Sequence, residues 1–389
     1  MANNVLPEEL MLCILTRLPV KTIVRFKSVC KPWFHLFSTP EFKKLHQDQF
    51  PRDPKNQSFI IHSEYCSDPK YLFSIFNIES GEKMPTILDH PFAHSQKNEL
   101  DFVGCCNGLV CIRSGQEIVL WNPAMKLSKT VALKEFGHLK KVLLGFGYDA
   151  MGDDFKVVMI VAVASTENIT SVEIYSANLD SWITIDVGFQ FHGIRAKKEL
   201  IVNGYPYWGA WVDGIQILVC FDVLELVFKI VPMPTTYGPD LLDLDQETDT
   251  KIWTDTERDV ELVDWNGAPA ALVIDYEVNY CVDPTSAGES TECSARIVCV
   301  RVWVFDDIQQ IWRNDHTFGP IKVDVYRDLH CSKNEKVLGT LVSGTLFLSD
   351  LETGCVEELF DSTCLGNPFE AFAYTESLAH INGMEKVVV

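Results

Sequence analysis

Residues able to do chemistry are plentiful in this 389-residue chain, but few stand at working spacings. Gly145-Phe146-Gly147 follows an apolar run and invites comparison with a dinucleotide-binding loop. Such a loop must open a helix whose first N–H groups hold the pyrophosphate, whereas Asp153–Val158 reads as a strand, so the two glycines are assigned to a hairpin turn. His90 and His94 are four apart, a spacing that suits a metal on a helix, but Pro91 between them opposes the helix and leaves solvated loop histidines. The 13 cysteines include no CxxC pair. Cys105, Cys106 and Cys111 lack zinc spacing, and thiols such as Cys13, Cys220 and Cys299 lie in apolar segments, as buried free cysteines of a reducing compartment do. No Ser-His-Asp, Cys-His or HExxH arrangement stands out, and neither a cofactor nor a metal is expected.

Carboxylates form the one dense cluster. Asp243, Asp245, Glu247, Asp249, Asp255, Glu257, Asp259 and Glu261 are opposed only by Lys251 and Arg258. A calcium loop opening at Asp243 needs glycine at its sixth position and an acid at its twelfth, where Thr248 and Thr254 stand. Two readings remain: a solvated loop, or an acidic lip that takes Lys and Arg side chains from a partner and so relieves its own repulsion. The net charge of −21 is unevenly placed, since residues 1–50 hold seven Lys/Arg against four Asp/Glu. The acidic remainder repels nucleic-acid phosphates and anionic membranes, and its electrostatic complement is a protein target with a basic surface.

Two kinds of element must hold these groups. Over residues 6–37 the spacing is helical: Pro7 suits a first turn, Glu8 and Glu9 suit the positive end of the helix dipole, and Leu10, Ile14 and Leu18 share a face until Pro19 ends the run. Ile23, Phe26 and Val29 mark a second helix over Lys21–Cys30, and Pro32 opens a third with Trp33, Leu36 and Phe37. Three such helices bury too little to stand alone, so either the chain's own large domain or another protein covers them. The polar stretch 46–57, with Pro51 and Pro54, reads as a linker.

From residue 58 onward the pattern is short strands rich in Val, Ile, Phe, Tyr and Trp between Gly, Asn and Asp turns. Asn107-Gly108 and Asn203-Gly204 are two-residue hairpin signals. The strands recur in groups of about four every 40–50 residues, which predicts a β-propeller of six or seven blades, with a two-sheet sandwich as the alternative. Segments Phe59–His62 and Tyr71–Ile78 are expected to share a blade with Phe369–His380, closing the ring. The longest apolar runs, such as Val157–Ala164, are too short for a membrane span, and MANNVLPEEL lacks the features of a secretory leader, so a cytoplasmic or nuclear location is expected.

The stretch Leu6-Pro7-Glu8-Glu9-Leu10 through Leu18-Pro19-Val20-Lys21-Thr22 to Cys30-Lys31-Pro32-Trp33 resembles the plant F-box motif. CNGLVCI, LWNP, GFGYDAMGDDFKVV, VEIYSANLDSWITI and CFDVLELVFKIVPMP resemble the kelch-like F-box-associated domain of the same proteins, with departures at Met125, at Ile183 and in the turn between Phe305 and Trp312. The resemblance implies a mainly β protein with a three-helix F-box over 1–45, a linker over 46–57 and a propeller-like domain over 58–389. It implies a non-catalytic substrate-recognition subunit of a ubiquitin ligase, docked to a Skp-type adaptor and through it to cullin and RING subunits. By that resemblance Leu6 and Pro7 reach the adaptor, and Leu10, Ile14, Leu18, Pro19 and Trp33 build or complete the shared core. Length and layout are also similar to the pollen S-locus F-box branch, whose targets are basic secreted ribonucleases. A propeller enzyme or sugar-binding lectin with a helical appendage is the rival reading.

Overall fold

A computed structural model describes residues 7–64, 71–77, 85–92, 100–134, 140–186, 192–212, 215–233, 256–282, 290–318, 324–331, 336–341, 345–361 and 369–387. Four helices come first. α1 (Glu8–Leu15) follows Pro7 and ends where the Thr16 hydroxyl turns back to donate to the Leu12 carbonyl at 2.9 Å. α2 (Val20–Phe26) has Pro19 at its N-cap, a residue with no side-chain oxygen to offer the free N–H groups. α3 (Lys31–Leu36) carries Pro32 in its first turn. A fourth helix, α4 (Pro40–Gln49), is capped by the Thr39 hydroxyl, which accepts from the Phe42 N–H at 3.2 Å.

The expected linker over 46–57 therefore begins inside α4 and continues as two 3₁₀ turns, Phe50–Arg52 and Pro54–Asn56. The physical reason is spacing: Phe42, His46 and Phe50 stand four apart, face inward together and are all buried.

The remaining chain forms six blades. Blade 1 contains β1 (Ser58–Glu64), β2 (Tyr71–Asn77) and β3 (Thr86–Ile87); blade 2 contains β4 (Leu100–Cys106), β5 (Leu109–Ser114), β6 (Glu117–Asn122) and β7 (Leu127–Ala132). Blade 3 holds β8 (Lys140–Asp149), β9 (Asp154–Val163), β10 (Ile169–Ser176) and β11 (Ser181–Ile185), and blade 4 holds β12 (His192–Val202), β13 (Tyr205–Val212), β14 (Ile215–Asp222) and β15 (Val227–Pro232). Blades 5 and 6 hold β16 (Thr256–Trp265), β17 (Ala268–Val282), β18 (Ser290–Asp306) and β19 (Ile311–Phe318), then β20 (Asp324–Cys331), β21 (Lys336–Leu341), β22 (Thr345–Asp350) and β23 (Val356–Asp361). The last two blades touch through a short β18–β20 pairing at Ala295–Val325 and Arg296–Asp324. β24 (Phe369–Tyr374) pairs with β1 and completes blade 1, so the ring closes with strands from both ends of the domain, as expected. The expected closing segment ran to His380; the strand stops at Tyr374. β25 (Glu385–Lys386) adds to the outer edge of blade 2.

Six apolar clusters each fill one gap between neighbouring blades. Alternate residues of one strand serve opposite gaps: Phe59 and Ile61 face blade 6 while Ile60 faces blade 2. Burial on both faces explains why β9 is apolar almost throughout. β20 falls outside the expected strands because Asp324–Cys331 mixes charged with apolar residues.

One hairpin recurs in blades 2 to 6. Four residues separate the third strand from the fourth in blades 2 to 5 and five in blade 6, and the fourth of these has positive φ: Lys126, Asp180, Leu226, Gln310 and Gly354. At the end of the third strand a polar side chain accepts from N–H groups inside the turn. Asn122 accepts from Met125 at 3.0 Å, Ser176 from Leu179 at 3.1 Å, Asp222 from Leu224 and Glu225 at 2.9 Å, and Asp306 and Asp350 do likewise. In blades 4 and 5 the other carboxylate oxygen of that residue holds a cation seven positions on, Lys229 or Arg313. Asn107-Gly108 and Asn203-Gly204 form the expected hairpin turns with φ positive at both residues, and Asn266-Gly267 forms a third.

Gly145 and Gly147 correct the sequence reading. They lie inside β8, not in a turn, at the contact between blades 3 and 4. A Cβ on Gly145 would run into the Trp208 indole, and one on Gly147 would come within 2.5 Å of the Gly204 carbonyl oxygen, beside the Tyr148 N–H to Gly204 bond of 2.9 Å. Gly147→Ala is therefore expected to lower stability by about 1–3 kcal/mol, as overpacking does, while Gly209→Ala, in β13 with nothing within 4 Å of its Cβ position, stays near wild type. Paired thermal and denaturant unfolding of the two variants checks this.

Candidate functional site

α1 is apolar on two sides. Leu15 points inward and joins Val20, Ile23, Phe37 and Phe42 in a buried cluster, with Leu18, Phe26 and Trp33 partly covered around it. Trp33 packs between Phe26, at 5.2 Å between ring centroids, and Phe37, at 5.9 Å. On the outer side, Pro7, Leu10 and Ile14 follow one another by three and four residues and so share a face. Leu10 and Ile14 are each 54% exposed. Val24, Val29, Phe34 and Leu45 are exposed on the same small module. Of the residues singled out from sequence, Pro7, Leu10 and Ile14 thus come together on one open face. Leu18 and Trp33 belong to the interior, Pro19 is exposed as the cap residue of α2, and Leu6 lies outside the described residues.

The interior depends on two groups absent from the sequence reading. His46 is fully buried, stacked on Phe50 at 4.9 Å between centroids, and its Nε2 lies 2.9 Å from the Leu18 carbonyl oxygen, to which it donates. The second group is the segment 375–387, a strap that follows β24. Its Leu378 is buried inside the helical cluster, beside Ala124 and Met125 of the blade 2 hairpin. Its Glu376 carboxylate accepts from the Val20 N–H at 3.1 Å and supplies the cap that Pro19 cannot give α2. Burial raises the Glu376 pKa against the opposing pull of the Val20 N–H and Lys21. Nothing local in the sequence marked Leu378, whose partners are more than 300 residues away.

The helices sit at the end of the ring that carries the first-to-second and third-to-fourth strand turns. Gln47 of α4 reaches Tyr148 of blade 3, whose hydroxyl donates to Asp153 at 2.7 Å, and Asn77 of blade 1 donates to the Lys55 carbonyl at 2.8 Å. Lys27 and Lys43 gather here with His380; burial first, and then their mutual repulsion, lowers the pKa of Lys27 and of His380.

The acidic run is placed differently from its reading as a loop. Glu257, Asp259 and Glu261 occupy alternate positions of β16, opposite Tyr276, Ile274 and Leu272, and so belong to a strand. Asp243, Asp245, Glu247, Asp249 and Asp255 lie outside the described residues. Pro232 and Thr256, the strand ends that flank the run, stand at the end of blades 4 and 5 remote from the helices. Other readings also shift. His90 is half-buried against Phe73 and Phe92, not solvated, while His94 lies outside the described residues, and Cys13 is exposed, not buried.

Residues 65–286 match the family described as F-box associated beta propeller domain, and residues 4–45 match the F-box domain. A putative F-box protein of Arabidopsis thaliana is 28% identical over 238 residues, 60% of this chain and 61% of that protein. An F-box/kelch-repeat protein of the same plant is 28% identical over 248 residues, 60% of this chain and 66% of its own. A third Arabidopsis protein, named Peroxiredoxin-2A, is 27% identical over 301 residues, 67% of this chain and 53% of its own. The chain thus spans less than two thirds of the length of these relatives.

The buried histidine gives the module an acid limit. Burial lowers the His46 pKa, more than its bond to Leu18 raises it, so the folded module keeps His46 neutral where an unfolded chain takes up a proton near pH 6.5, an ordinary value of about 6.5. Stability is accordingly full above that range and is lost as pH falls through it toward the lowered value. Denaturant midpoints of the helical signal at about pH 7.5 and about pH 5.5 should differ less in His46→Gln, which keeps a donor for Leu18, than in wild type, His380 supplying part of what remains.

Proposed function

The chain belongs to the F-box associated beta propeller family, and from that premise we propose that it is the substrate receptor of a Skp-cullin-F-box ubiquitin ligase. The observation that carries the reading is the open face of α1. A module this small keeps Leu10 and Ile14 in water although its other apolar side is sealed by Leu15 and Leu378. A second apolar side on a helix, here Pro7, Leu10 and Ile14, is what a groove-binding partner reads at i, i+3 and i+7 anchors. That partner is a Skp-type adaptor, which links the chain to cullin and RING subunits. The chain itself holds no part of the transfer chemistry and acts by bringing a bound protein to it.

Leu10→Asp with Ile14→Asp should weaken capture of a Skp-type adaptor at least ~30-fold, the effect of losing a central apolar anchor worth about 2 kcal/mol. Because both side chains are exposed, the unfolding midpoint should stay within about 0.5 kcal/mol of wild type. Equal capture by wild type and variant in a titrated pull-down would refute the adaptor assignment.

The target is a protein with a basic surface, a cationic ribonuclease being the type that the charge favours. Support comes from the −21 net charge and from the described strand ends Pro232 and Thr256, which flank the first part of the acidic run at the end of the ring away from the helices. Replacing Asp245, Glu247 and Asp249 by Lys should weaken binding of a cationic test ribonuclease about tenfold at low salt and little at high salt, where the pairing is screened. Salt-independent binding by both forms would remove the acidic run from the target site.

A further inference from the structure

The receptor reading needs two faces held at a fixed angle: the open side of α1, and the far end of the ring. The covalent route between helices and ring passes through the two short 3₁₀ turns at 50–56, braced by the Asn77 amide on the Lys55 carbonyl. Gln47 on Tyr148 of blade 3 and the blade 2 hairpin tip at Ala124 and Met125 touch the helices from outside. The strap adds a tie that enters the helical core itself.

Its contacts divide into two sets. Toward the helices, Leu378 is 3% exposed within their core and Glu376 caps α2. Toward the ring, Ile381 is buried between blades 2 and 3, and β25 pairs with β7 through Glu385–Ser128 and Lys386–Leu127. Between these ends the strap's backbone is gripped from blade 2. The Asn122 amide donates to the carbonyls of Ser377, at 3.1 Å, and Ala379, at 2.8 Å, and Lys129 donates to the Asn382 carbonyl at 2.8 Å. The Ser377 hydroxyl donates to the Asn107 carbonyl at 2.6 Å and accepts from the Ala379 N–H at 3.1 Å. The fit leaves no slack, since a Cβ on Gly108 would lie 2.7 Å from the Ser377 nitrogen.

This exceeds what closing a propeller requires. β24 already completes blade 1, and the ring is shut at Tyr374. Residues 375–387 add nothing to that closure; they cross to the next blade and enter the helical core on the way.

We propose that the strap is a positioning element: by joining the core of the helices to blade 2, it fixes the direction of the α1 docking face relative to the target end of the ring. The purpose of the fixed direction rests on the ligase reading, because ubiquitin delivery across an assembled complex depends on a set distance and angle. The fixed direction itself does not.

The test uses the full chain with spin labels on genetically encoded keto amino acids at Asp48, exposed on α4, and Ile308, exposed at the tip of the blade 5 hairpin. Wild type should give one narrow distance. Glu376→Ala, and separately Asn122→Ala, both of which leave Leu378 in the helical core, should lose it to a broad distribution, while the β signal and capture of the adaptor persist; Glu376→Gln, which keeps an acceptor for Val20, should restore it. A narrow distance in both loosened variants overturns the proposal. Loss of the β signal or of adaptor capture in them overturns it as well, by making the strap an element of folding and not of orientation. Failure of the ligase reading looks different: wild type then captures no adaptor, while the distances still respond to the strap variants.

Discussion

A bundle of four short helices has too small an interior to hold itself together, and the missing piece arrives from the other end of the chain as Leu378. That one burial constrains the rest. It ties the helices to the turn-bearing end of the ring and covers the cluster into which α1 turns Leu15, while Leu10 and Ile14 face water. The Glu376 carboxylate adds a backbone cap beside it, at the cost of holding a charge where burial disfavours one. Between the usual glutamate pKa, about 4.3, and its raised value in the fold, this group lowers stability as pH rises, the opposite sense to His46.

The ring is held by repetition. Each gap between blades is filled by an apolar cluster, and in blades 2 to 6 the turn after the third strand returns with a polar acceptor at its start and a left-handed fourth residue. Outer strands are tied across the gaps by indole N–H groups, Trp182 to the Ala132 carbonyl and Trp312 to the Pro232 carbonyl. The same device lets one hairpin do different work. In blade 2 its tip, Ala124 and Met125, is covered by the helices, whereas in blades 3, 4 and 5 the corresponding Leu179, Leu224 and Ile308 are exposed.

Much of this was legible in the sequence because it is local. Two Asn-Gly turns, the four-strand period and the two-faced apolar strands follow from residue type and spacing, and they place the blades to within a few residues. The errors have identifiable causes. Gly145 and Gly147 suggested a turn, but glycine was needed there because Trp208 and Gly204 of the next blade come too close for any side chain. α4 was obscured by its polar surface, although Phe42, His46 and Phe50 carried the helical spacing. The acids at 257, 259 and 261 alternated as a strand does, but their charge argued for a loop. For the functional face, Leu10 and Ile14 were readable as a stripe, but the stripe was carried on to Leu18, which the end of α1 at Leu15 lets turn inward. Which side of α1 stays open was not readable, since both sides are apolar and the inner one is completed by a leucine with no pattern of its own.

The crossing of the strap also sets an order of assembly during synthesis. The helices leave the ribosome first, yet their core lacks Leu378 and the first blade lacks its inner strand until the last twenty or so residues of this sequence have emerged. A chain that stops before Phe369 has neither a closed ring nor a completed helical core. A chain cut short is thereby incomplete in both parts at once.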